Sequence, residues 1–262
     1  MQIGAQLYTL FRQTNTLEGF ETCLKKVAGM GYKVVQVSGT CAYEPEWLRD
    51  KLAENDLKCV ITHIDPKRIA EETEKVVSEH RIFGCNHIGI GGMPNEMRGS
   101  LEGYKEFKKI FLPAALKMRD MGAKLMYHNH WFEFDKLDGL DVIERLAEDF
   151  PEDALGFTLD LGWAAFAKSD VVKLICDLKG RLPMIHLKDY KDLPEDGRFN
   201  NVPVYLRPIY EGILDYDAYI NALYDAGCEY ALVEQDFTYD EDPFDCLKRS
   251  FENVTNKFPE MK

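Results

Sequence analysis

Residues 124–150 read KLMYHNHWFEFDKLDGLDVIERLAEDF. The stretch holds one complete unit: a short apolar run, a polar HNH stop, a loop, and an amphipathic helix pattern. A run of that length suits a buried strand better than a helix. The same unit recurs on both sides of it. Downstream, ALGFTLDL leads to DVVKLICDLKG, PMIHLKDY to LDYDAYINALYDAG, and YALVEQD to FDCLKRSFENVTNKF. Upstream, HIGIGG leads to LEGYKEFKKIFLPAALKMRDMG, with a kink or break expected at Pro113. KCVITHI leads to a helix over about 66–83, and YKVVQVSG to EPEWLRDKLAEND. IGAQLYTL leads to LEGFETCLKKVAGMG, with Thr16 as N-cap and Gly31 beyond the end.

Eight strand–helix units in 262 residues, with no break in composition, predict one α/β domain over 1–262, a single (β/α)8 TIM barrel. The short apolar strands suit a parallel sheet covered on both faces. An open doubly wound sheet would need a glycine-rich turn after the first strand, and LYTLFRQTN has no glycine. The connection over 190–214 exceeds the usual few residues and is expected to act as a lid or substrate loop.

Composition narrows the partners. A net charge of −13 opposes nucleic acid, and no apolar run approaches the ~20 residues that span a bilayer. The N-terminus carries no signal-peptide pattern, and the seven cysteines form no CxxC pair. A cytoplasmic protein with reduced thiols is expected. A homo-oligomer is compatible with such a barrel.

Polar residues gather where the apolar runs give out. His63 closes CVITH, His128 and His130 close KLMYHNH, and His186 lies in PMIHLKD. Glu133 follows HNH, Asp160 lies in FTLDLGW, and Glu234 in YALVEQD. A charged or imidazole group is costly to bury alone, so several at one end of a barrel suggest a shared polar centre. Neighbouring strands lie about 4.8 Å apart, close enough for consecutive strand ends to surround one ion. Glu133, Asp160, His186 and Glu234 are the expected ligands of a divalent metal. Mn²⁺ is favoured, with Co²⁺, Zn²⁺ or Mg²⁺ as alternatives.

Each residue also has a plainer reading. Asp160 can cap a helix, His186 can be a hydrogen-bonded core histidine, and Asp236 can replace Glu234 as the working acid. His128 competes with Glu133 as the fifth-strand ligand. His128 and His130 lie two apart on a strand and so face the same way.

The order HNHWFEF, LDLGW, HLKD, EGILDYDAYINALYDAG and VEQD resembles the sugar phosphate isomerase/epimerase family, the xylose isomerase-like barrel group. The resemblance implies one divalent ion held by a Glu, Asp, His, Glu set, falling here on Glu133, Asp160, His186 and Glu234. Many members carry the first glutamate within the fifth strand, where this chain has His128. The resemblance implies a carbohydrate substrate and proton abstraction α to a carbonyl, through an enediolate, with Glu133 or Glu234 as base and His130 as competitor. A keto-sugar or inosose dehydratase and a non-catalytic sugar-binding barrel use the same residues. His63, His128 and Lys188 are expected to contact the substrate, with Trp163, Trp131 and Phe237 as apolar walls. No glycine-rich phosphate cradle follows the last strands, so an unphosphorylated sugar is expected. Arg198 and Arg207 are the groups that would serve a phosphate.

Overall fold

The computed structural model describes residues 1–192 and 204–262. Eight parallel strands close into a barrel. In chain order these are β1 (Gln2–Gln6), β2 (Val34–Val37), β3 (Lys58–His63), β4 (His87–Ile90), β5 (Lys124–His128), β6 (Leu155–Asp160) and β7 (Met184–Leu187), closed by β10 (Tyr230–Val233) against β1. Two more strands, β8 (Asp189–Lys191) and β9 (Tyr205–Arg207), form an antiparallel pair outside the barrel. The predicted α/β barrel is therefore the fold.

Helices cover the sheet. α1 (Leu17–Gly29) starts on Thr16, whose hydroxyl accepts the Gly19 N–H at 3.1 Å. α2 (Pro45–Glu54) follows β2. The helix expected over 66–83 is two, α3 (Pro66–Glu71) and α4 (Thr73–Ile82), parted at Glu72. α5 (Leu101–Asp120) runs through Pro113 without breaking. The proline removes the bond to the Lys109 carbonyl, and Lys109 is exposed, so water can take that partner's place. α6 (Val142–Asp149) opens on a reciprocal Asp141–Glu144 capping box. α7 (Leu161–Phe166), α8 (Val171–Asp177), α9 (Tyr216–Ala226) and α10 (Pro243–Lys257) complete the coat. All seven cysteines are free thiols.

Strand alternation determines what faces the barrel axis. Val34, Val60, Ile61, Met126, Met184 and Leu232 form an apolar cluster of their own, separate from the core between sheet and helices. Two residues further along the strands the inward positions turn polar. Met126 is followed by His128, Met184 by His186, and Leu232 by Glu234. In register, Asp160 pairs with His186, which pairs with Leu232. One more step brings His130, Lys188 and Asp236. The barrel is thus plugged by apolar side chains and topped by two polar tiers at its C-terminal end.

Of the predicted lid over 190–214, residues 193–203, and with them Arg198, lie outside the described residues. The described flanks are pinned. The Asp189 carboxylate accepts N–H groups of Tyr190, Tyr210, Gly212 and Leu214 at 2.8–3.3 Å.

Candidate metal centre

His128 Nε2, Asp160 Oδ2, His186 Nδ1 and Glu234 Oε2 converge at the ends of β5, β6, β7 and β10. The four residues each offer an atom within 4.8 Å of the others, and all four are buried. The separations are 2.9 Å from His186 Nδ1 to Glu234 Oε2 and 3.8 Å from His186 Nδ1 to Asp160 Oδ2. His128 Nε2 lies 3.5 Å from Asp160 Oδ2 and 4.0 Å from Glu234 Oε2. None of these four atoms has a well-aligned hydrogen bond, but the Lys188 ammonium lies 3.0 Å from both Asp160 Oδ2 and Glu234 Oε2.

The opposite nitrogens of the two imidazoles are already engaged. His128 Nδ1 lies 3.1 Å from the Gly91 carbonyl, which can only accept, so Nδ1 carries the hydrogen. His186 Nε2 meets Gln36 Oε1 at 2.6 Å and donates to it as the amide is placed. In the neutral rings, both lone pairs then point at two carboxylate oxygens. Anions and lone pairs facing one another in a buried space repel unless a cation stands among them, and the Lys188 ammonium beside both carboxylates is one such cation. Burial lowers the proton affinity of His128, yet Asp160 and Glu234 more than offset it and raise the pKa above the usual histidine value. The site favours positive charge at its centre. Locking the far nitrogen in this way is how proteins orient histidines toward metals, so the donor set fits a divalent ion.

Asp160 caps a helix and still faces the centre. Its Oδ1 accepts the Trp163 N–H at 2.8 Å and caps α7, while Oδ2 faces the centre. Asn129 fixes the strand end by exchanging two hydrogen bonds with the Asp160 main chain, at 2.8 and 3.2 Å. The HNH motif is therefore one facing imidazole, one clamp, and a second imidazole in the tier above.

Glu133 stands elsewhere. Its Oε1 accepts from the Tyr127 hydroxyl at 3.0 Å and the Met93 N–H at 3.4 Å, and its Oε2 accepts from the His130 N–H at 2.8 Å. It is not among the converging residues, and as placed it braces the turn after β5. Burial raises its pKa against these donors. The fifth strand brings His128 to the centre instead. The signal for this was the alternation of inward positions starting from Met126.

The remaining expected residues surround the centre. The His63 ring lies 5.2 Å from that of His128 and 5.7 Å from that of His186, measured between centroids. It seats against Gly89, where a β-carbon would come within 2.6 Å of the ring. His130 lies 4.9 Å from His128 and stacks on Phe132. Its buried Nδ1 is unpartnered, and burial holds its pKa well below the ordinary value. Trp163 packs against Trp131 at 4.9 Å, within a cluster that also holds Phe237. A cleft of about 370 Å³ includes Arg12, Asp236, Phe237 and Tyr239 in its lining, and His63 lines another of about 580 Å³. Arg207, expected to face substrate, is committed to Glu241 at 2.6 Å and Glu211 at 2.7 Å, and Arg249 completes that ring of charges.

Sequence reasoning missed Gln36, which orients His186 from the opposite side of the barrel. A buried glutamine in an apolar strand, VVQV, was the available signal.

A family model described as xylose isomerase-like TIM barrel matches residues 24–248. No curated protein matches the sequence. Among solved structures, a sugar phosphate isomerase/epimerase from Parabacteroides distasonis superposes with a TM-score of 0.80 at 17% identity, covering 100% of this chain and 95% of that one. An L-ribulose 3-epimerase gives 0.75 at 14% identity, covering 100% and 96%. The probable 3-DHS dehydratase AsbF from Bacillus anthracis gives 0.75 at 18% identity, covering 98% and 100%. At such identities these likenesses speak for the fold alone.

Proposed function

The chain belongs to the xylose isomerase-like TIM barrel family, and from that premise we propose that it is a divalent-metal-dependent sugar isomerase or epimerase. The observation that carries this reading is the buried convergence of two oriented imidazoles and two carboxylates at one end of the barrel. His128 Nε2, Asp160 Oδ2, His186 Nδ1 and Glu234 Oε2 would hold the ion. Two nitrogens and two oxygens suit Mn²⁺, Co²⁺ or Zn²⁺ better than Mg²⁺, which prefers oxygen. Bound there, the ion would supply Lewis acidity toward a carbonyl and its neighbouring hydroxyl, making the α C–H acidic.

The chain's own groups then handle the proton. β5 and β10 stand three places apart around eight strands, so His130 and Glu234 approach the barrel mouth from nearly opposite sides. One member of such a pair can remove the α proton, leaving a planar enediolate, and the other can return a proton to the opposite face, which is epimerisation. Return to the adjacent carbon by one group is isomerisation. His130, neutral and with an unpartnered nitrogen, is available to accept a proton. Glu133 has its oxygens taken up by three donors and positions His130 through the main chain. His63 would orient the substrate, and Trp163, Trp131 and Phe237 would flank its C–H faces. Lys188 adds positive charge beside the reacting oxygens.

The test is proton exchange. Mn²⁺-loaded protein is incubated with a panel of unphosphorylated keto-sugars in D₂O and followed by NMR. Deuterium appearing α to a carbonyl, lost on chelation and in His130→Asn, supports the proposal. Loss of a β-hydroxyl would instead assign a dehydratase. Sugar binding that persists without metal and without exchange would assign a binding barrel.

A further inference from the structure

Lys188 is the feature of the polar tiers that a metal site does not by itself explain. It is 1% exposed, and its ammonium lies 3.0 Å from Asp160 Oδ2 and 3.0 Å from Glu234 Oε2. These are the two oxygens offered to the metal. A third carboxylate oxygen, Asp236 Oδ2, lies closer still, at 2.7 Å, and Asp236 is not among the converging residues. The Trp163 ring closes another side, 4.7 Å from the nitrogen. Gly162 fixes the approach of the chain, since a β-carbon there would come within 2.9 Å of Lys188 Cβ and 2.4 Å of its carbonyl oxygen.

Charge counting sharpens the point. With both imidazoles neutral, as metal ligation requires, three carboxylates and one ammonium leave two uncompensated negative charges, the amount a divalent ion cancels. An ammonium and a dication bound to the same two oxygens would repel strongly in so dry a place. Asp236 offers the ammonium a partner that it need not share.

We propose that Lys188 is the resident cation of the metal-free site, and that metal uptake is a cation exchange. The ammonium releases Asp160 and Glu234 to the ion and is retained by Asp236. This rests on the metal reading above and assigns Lys188 and Asp236 as a pair that sets metal affinity without ligating metal. The lysine screens the two carboxylates from one another until the ion arrives, at the cost of weaker binding.

Two measurements on the full chain test it. The first is Mn²⁺ affinity by chelator competition for wild type, Lys188→Met and the charge-retaining Lys188→Arg. Lys188→Met should bind at least about tenfold tighter, and Lys188→Arg should stay within about threefold of wild type. The second uses wild type alone and is independent of whether Lys188→Met folds. Crystal structures with and without Zn²⁺ should show the ammonium beyond about 3.5 Å from Asp160 and Glu234 once the ion is bound, and still in hydrogen-bond range of Asp236. If wild type binds one metal and Asp160→Ala abolishes it, yet Lys188→Met binds no tighter, the exchange is wrong and the metal site stands. An ammonium still touching all three carboxylates in the Zn²⁺ form also overturns the exchange. If neither wild type nor Lys188→Met binds metal, the metal reading itself falls, and the exchange with it.

Discussion

At or beside the ends of β5, β6, β7 and β10 stand His128, Asp160, His186 and Glu234, whereas at comparable depth β1 and β2 present the fully buried amides of Gln6 and Gln36. One side of the barrel carries the charge and the lone pairs. The other carries neutral groups that orient them, as Gln36 does for His186 across the barrel. The contrast shows how a single polar tier can be built without adding charge at every strand. An amide orients an imidazole without competing for the cation. It also implies that substitutions on the two sides should fail differently.

The largest effect is expected on the charged side. Asp160→Ala removes a facing oxygen and the cap of α7 together. It should weaken Mn²⁺ binding at least about 100-fold and lower thermal stability through the lost cap by about 1 kcal/mol. Isothermal titration and thermal unfolding measure the two losses separately. On the neutral side, Gln36→Leu should cost about tenfold in metal affinity, because the imidazole loses only its orienting partner. A loss as large as that of Asp160→Ala would erase the distinction between the two sides.

Glu133→Gln sharpens the comparison from a third direction. As a brace, Glu133 should matter to folding by about 1–3 kcal/mol, measured by urea unfolding, with Mn²⁺ affinity nearly unchanged. A collapse of affinity would return Glu133 to the ligand set.

The smallest effect concerns pH and lies away from the centre. His80 sits between the Thr62 hydroxyl at 2.8 Å and the Val76 carbonyl at 2.7 Å, and burial lowers its pKa. The unfolded chain takes up that proton first, near the ordinary value of about 6.5. The stability His80 contributes is therefore complete above that pH and declines as pH falls toward the lower folded value. Unfolding free energy should drop less between pH 7.5 and 5.5 in His80→Gln than in wild type. An equal or steeper drop would contradict the assignment.

The barrel was legible because its signal repeats: a short apolar run, a polar stop and a helix, eight times over. Asp160, His186 and Glu234 were legible as polar residues at strand ends. Glu133 illustrates where reading along the chain fails. Its position one loop past β5 resembles that of a ligand, but the turn 130–133 folds its carboxylate back onto Tyr127 and the His130 N–H. The inward alternation of β5 already pointed to His128, because Met126 lies two residues before it in the apolar plug. The setting of Arg207 was hidden for a different reason. Glu211 lies only four residues on, but Glu241 and the bracing Arg249 come from a separate segment that only tertiary structure brings alongside. Gln36 was hidden likewise, since its partner lies on the far side of the barrel.

Anomalous diffraction from a Mn²⁺-soaked crystal tests the central claim most directly. The account predicts one peak bounded by His128 Nε2, Asp160 Oδ2, His186 Nδ1 and Glu234 Oε2, with Glu133 still held by Tyr127. A peak coordinated by Glu133 in place of His128, or no peak among these four residues, would contradict it.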